Sequence, residues 1–93
     1  MREYELVAVI RPDVPEENAV VERIQQLISS RGGEVTNLER WGKRRLAYPI
    51  KHYLEGYYVV TQFRLEPQQV ADVDSGLKLS EELLRHLVVN REG

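Results

Sequence analysis

The chain has 93 residues, enough for one domain with a single modest core. It contains no cysteine, which removes disulfide frameworks and thiolate metal sites, and its 42% hydrophobic and 30% charged residues are an ordinary globular mixture. A net charge of −2 argues against a general nucleic-acid coat protein, whose domain is usually strongly basic.

No apolar run reaches membrane-spanning length, and Met1-Arg2-Glu3-Tyr4-Glu5 has the form of neither a signal nor a transit peptide. A cytoplasmic protein without a membrane partner is therefore expected. Tyr4, Leu6, Ala8 and Ile10 alternate with Glu5, Val7 and Val9 before Arg11-Pro12-Asp13, which predicts a first strand over Tyr4–Ile10. Its second face is also apolar at Val7 and Val9, so the strand is expected at the centre of a sheet. Asp13 ahead of Pro15 and Glu16 predicts a helix cap. Val20, Ile24, Leu27 and Ile28 then recur at helical spacing, and Gly32-Gly33 stops the helix.

Glu34–Ile50 reads as a second strand with a disturbance. Val35 and Leu38 are out of phase for a flat strand and Gly42 interrupts it, so a bulge near Asn37 or Gly42 is expected. Pro49 assigns this strand to a sheet edge, where a missing amide donor is tolerated. A third strand is predicted over Tyr57–Leu65, with the link from Lys51 to Gly56 closing a hairpin. Pro67 opens a second helix with Val70, Val73 and Leu77 on one stripe. The last segment fits an amphipathic helix over Glu81–Val89 or a strand over Leu84–Arg91; the β-rich Leu87-Val88-Val89 favours the strand. The resulting order β-α-β-β-α-β over residues 1–93 is an α+β domain of ferredoxin-like topology: a four-stranded antiparallel sheet with both helices on one face.

The charges are unevenly placed. Arg40, Lys43, Arg44, Arg45 and Lys51 lie between Arg40 and His52 with no acidic residue among them, so the remaining chain carries −7. Cations on an edge strand discourage aggregation, and they also pair with phosphates or carboxylates of a partner. Catalytic signals are thin. His52 and His86 have no neighbours at metal-ligand spacing, Glu81-Glu82 reads as a solvated turn, and Gly32-Gly33 lacks the Lys-Ser/Thr of a phosphate loop. An acyl-phosphate hydrolase of the same topology would need free amides after strand one, where Arg11 is followed by Pro12-Asp13-Val14-Pro15. No metal, cofactor or small-molecule substrate is expected.

The run Trp41-Gly42-Lys43-Arg44-Arg45-Leu46-Ala47-Tyr48-Pro49-Ile50 closely resembles the signature of the bacterial small-subunit ribosomal protein six family. Arg2, Tyr4 and Glu5, Pro12, Gly56-Tyr57 and Leu84-Arg85-His86-Leu87-Val88-Val89 extend the resemblance over essentially the whole chain. The resemblance implies a non-catalytic protein of the small ribosomal subunit. Its implied partners are 16S rRNA of the central domain, or platform, and small-subunit ribosomal protein eighteen. It also implies a partner-protein surface at Glu39, Arg40, Trp41, Lys43, Arg44 and Arg45. Arg2, Tyr4, Arg85 and Arg91, near the ends of the central strands, are the expected RNA contacts.

Overall fold

Alternation buries Tyr4, Leu6, Ala8 and Ile10 on one face of β1 (Arg2–Ile10) in the computed structural model, which describes residues 1–91. Helix α1 (Glu17–Ser30) turns Val20, Val21, Ile24 and Ile28 onto that face. Its C-terminus is closed by two main-chain bonds, Gly33 N–H to the Ile28 carbonyl and Gly32 N–H to the Ser29 carbonyl, each at 3.0 Å. Strands β2 (Glu34–Ile50) and β3 (Tyr53–Leu65) form a long hairpin. A 3-10 turn (Pro67–Gln69) leads into α2 (Val70–Lys78), which buries Val73 and Leu77, and β4 (Leu83–Asn90) completes the chain.

The sheet order is β2-β3-β1-β4, with every neighbouring pair antiparallel. This is the expected ferredoxin-like arrangement, and the last segment is the strand rather than the helix. Phe63, Leu65, Leu6, Ile10 and Ile28 are at most 1% exposed between sheet and helices, and the Tyr4 ring stacks on Phe63 at 5.7 Å between centroids. Each such side chain stabilises the fold by about 1.5–3 kcal/mol.

Local chemistry moves several boundaries. The first helix is not capped by Asp13: the residue before the first turn is Glu16, whose side chain makes no capping bond. The Asp13 carboxylate is taken instead by the Arg11 guanidinium, at 3.1 Å to each oxygen, and by the Tyr53 hydroxyl at 2.9 Å. The bulge expected in β2 near Asn37 or Gly42 occurs at both places, with Thr36 and Trp41 as extra residues against β3. Gly42 adopts φ +80 beside the second, a left-handed backbone that side chains other than glycine rarely take.

A third irregularity is larger. Arg45 pairs with Glu55 and Ile50 with Tyr53, so Leu46-Ala47-Tyr48-Pro49 lies opposite Leu54 alone. The hairpin then closes through Lys51 and His52, with φ of 51 and 72. That is the sign pattern of a two-residue turn matched to strand twist. β3 therefore begins at Tyr53, four residues before its expected start at Tyr57.

The looped-out Leu46 packs with Val9 and Leu84 in a second small cluster, bordered by Ile50, Tyr53 and Tyr58. This cluster lies on the sheet face away from the helices, since Val9 alternates with the helix-facing Ala8 and Ile10. Val9, expected to face outward, is thus covered, while Val7 is half-buried.

Candidate protein and nucleic-acid interface

The cations of β2 share one free sheet edge because β2 pairs only with β3. Cross-strand register sets Glu39 beside Val60, Arg40 beside Val59, Lys43 beside Tyr57, Arg44 beside Gly56 and Arg45 beside Glu55. The bulge at Trp41 pushes its indole outward, 48% exposed, where Nε1 donates to Glu39 Oε2 at 3.4 Å. Arg44 lies over the indole at 5.5 Å and donates from Nε to the Trp41 carbonyl at 3.4 Å. The Lys43 ammonium sits 5.5 Å from the centre of the Tyr57 ring. Such cation–ring contacts hold long side chains in place without neutralising them. Among the described residues, Arg40, Lys43, Arg44 and Arg45 form no ion pair. All six residues of the expected partner surface are brought together on this edge.

The expected RNA contacts divide into three. Arg2 and Arg91 lie at the same end of the sheet, where the Arg91 N–H donates to the Glu3 carbonyl at 2.9 Å and its guanidinium to Gln62 Oε1 at 3.2 Å. Arg85 pairs with Val9 at the opposite end of β1. Six residues of strand separate the two places, about 20 Å. Tyr4 is only 6% exposed, its ring stacked on Phe63 in the core. Its position in the alternation requires this, so its ring has no face for a base and the residue leaves the candidate set.

Two residues outside the expected set shape this region. Tyr48 accepts a hydrogen bond from Arg85 Nη1 at 2.6 Å, and the guanidinium lies 6.0 Å from its ring centre. Leu46 anchors the loop that carries Tyr48. Nothing local in Leu46-Ala47-Tyr48-Pro49 announces these roles, because both contacts reach residues far away in the sequence; only Pro49 marks an irregular strand. A further network ties the loops together at the hairpin end. Arg11 and the Tyr53 hydroxyl hold the Asp13 carboxyl below the usual carboxylate range, chiefly through the Arg11 hydrogen bonds, and Asp13 in turn raises Arg11. Among the described residues, no group of three or more potential ligands is placed to hold a metal ion.

A family model described as Ribosomal protein S6 matches residues 3–90. The chain belongs to the ribosomal protein S6 family. A "small ribosomal subunit protein bS6" from Moorella thermoacetica is 45% identical, over 99% of this chain and 96% of that protein. One from Dictyoglomus turgidum is 47% identical over 95% and 93%. The crystal structure of 30S ribosomal protein S6 from Thermotoga maritima superposes with a TM-score of 0.92 at 35% identity, covering 98% of this chain and 88% of that one. The family is one of ribosomal structural proteins. Membership makes the chain a protein of the small ribosomal subunit, and so of the cytoplasmic ribosome.

Proposed function

We propose that the chain binds 16S rRNA of the central domain as one half of a pair with small-subunit ribosomal protein eighteen. The observation that carries this reading is the free β2 edge, on which Arg40, Lys43, Arg44 and Arg45 stand exposed without an ion pair among the described residues. Exposed Trp41 and the arginines have the composition of interface anchors, and the bulges bar a simple strand addition. The partner protein therefore docks through side chains, with its carboxylates against these cations and a counterpart for Glu39. A pair in which the partner is strongly basic also accounts for the −2 charge here, because the partner then supplies most of the phosphate neutralisation. Arg2 and Arg91 at one end of the sheet, and Arg85 at the other, add phosphate contacts.

The test is a titration of a central-domain rRNA fragment with this chain alone and with equimolar partner protein, over a range of salt concentrations. Tight binding is expected only with the partner, and Arg2→Ala with Arg91→Ala should each lower the salt slope by roughly one. Equal affinity with and without the partner overturns the reading.

A further inference from the structure

The side-chain partners of the arginines are of two kinds. Arg11, Arg23 and Arg31 are each held by a carboxylate, from Asp13, Glu82 and Asp72. Arg44, Arg85 and Arg91 are held by neutral groups: the Trp41 ring and carbonyl, the Tyr48 hydroxyl and the Gln62 amide oxygen. A carboxylate cancels the charge of an arginine and competes with a phosphate for its N–H groups. A phenol fixes the side chain and leaves the charge whole.

The contact to Arg85 spans the sheet. β2 and β4 are opposite edges, three strand spacings or about 14 Å apart. The loop-out closes that gap: Leu46 reaches past β3 to pack on Val9 and on Leu84, the residue before Arg85. Tyr48, carried with it, then accepts from Arg85 Nη1 at 2.6 Å while staying 57% exposed, so its ring is not there to fill a core. Arg85 pairs with Val9 and therefore lies on the face away from the helices. The groove beside it, about 300 Å³, is lined also by Val7, Val9, Tyr58, His86 and Leu87 and by no acidic side chain. With Nη1 taken by Tyr48, the edge formed by Nε and Nη2 has no partner among the described residues.

We propose that Tyr48 is a positioning residue for rRNA: it holds the Arg85 guanidinium so that the Nε–Nη2 edge donates two parallel N–H bonds to one backbone phosphate. The inference rests on the reading of Arg85 as an rRNA contact and adds the residue that aims it. A two-donor edge fits two phosphate oxygens only in one orientation, and a long exposed side chain loses freedom when it adopts that orientation. Tyr48 imposes most of this order before RNA arrives. Without its hydroxyl, Arg85 keeps its charge but is ordered only on binding, which weakens affinity by about threefold to tenfold.

The test is a double-mutant cycle on the preformed pair with the partner protein, titrated against the central-domain rRNA fragment at several salt concentrations. Arg85→Ala should lower the salt slope by roughly one. Tyr48→Phe should weaken binding by about threefold to tenfold at an unchanged slope, and should add nothing in the Arg85→Ala background. The urea midpoint of the isolated chain should be the same for Tyr48→Phe and wild type, which a merely structural role would not allow. Three results overturn the proposal: Tyr48→Phe binding as tightly as wild type, a Tyr48→Phe loss that persists in the Arg85→Ala background, or an Arg85→Ala chain that fails in assembly with the partner protein instead of in binding RNA. Equal wild-type affinity with and without the partner overturns the paired-binding reading instead, and the same cycle on this chain alone then decides the role of Tyr48.

Discussion

Lys51 and His52 hold the hairpin turn with both φ angles positive, although neither is glycine or asparagine. Each stores strain that a better turn pair would relieve. Replacing them as Lys51→Asn with His52→Gly should raise the unfolding free energy by about 1 kcal/mol, read from the urea midpoint at unchanged slope. Leu46 carries the opposite expectation. Its side chain is 9% exposed and closes the cluster with Val9 and Leu84. Leu46→Ala should cost about 2 kcal/mol, the low end for a buried leucine, because the cluster is small and can partly collapse. A third case is Thr61, 1% exposed, whose hydroxyl has no hydrogen-bond partner among the described residues. Thr61→Val keeps the shape and removes the unpaired group, so it should stabilise by about 1 kcal/mol in the same assay.

Helix α2 is short and leans on β4 through one polar contact. His86 and Asp74 meet at 2.8 Å, and Lys78 adds a bridge to the same carboxylate at 3.2 Å. These contacts, the His86 hydrogen bond first, hold the Asp74 carboxyl below its usual range. A carboxyl lowered in the folded state contributes stability above the unfolded value and loses it as pH falls through the folded one. Urea midpoints should therefore drop on the acid side of the usual carboxylate range, and Asp74→Asn should shrink that drop while leaving Asp13 as a remaining contributor. The elements themselves were largely legible in the sequence. Valine and isoleucine spacing gave α1, Gly32-Gly33 its end, and Leu87-Val88-Val89 the last strand. Contacts between distant residues were not legible: the His86–Asp74 pair, the Arg11–Asp13–Tyr53 network and the Tyr48–Arg85 bond all depend on the sheet having formed. Asp13 had the residue type of a cap, but a guanidinium two residues away competed successfully for its oxygens.

Taken as one body, the molecule concentrates positive charge on β2 while the remaining chain is negative. Arg44→Ala with Arg45→Ala should weaken association with the partner protein by tenfold or more, about 1.4 kcal/mol, in a calorimetric titration. The isolated fold should change by no more than about 0.5 kcal/mol, since both side chains are exposed. Normal complex formation by that double variant would remove β2 from the interface. The proposed interface was legible because its residues are neighbours in sequence. The proposed RNA contacts were less so: near-terminal arginines read as one set, yet strand length separates Arg85 from Arg2 and Arg91, and alternation puts Tyr4 inside.

The loop-out of Leu46-Ala47-Tyr48-Pro49 has a consequence for hydrogen exchange. Strand β2 is anchored to β3 by main-chain pairing on both sides of this segment, but the segment itself is held by the Leu46 packing and the Tyr48–Arg85 bond. Opening there needs no ladder to break, so the amides of Ala47 and Tyr48 should exchange far faster than those of Val59 or Val60 in β3. Those two amides then serve as a built-in reporter: anything that settles over the hairpin end slows their exchange before the rest of the sheet registers it.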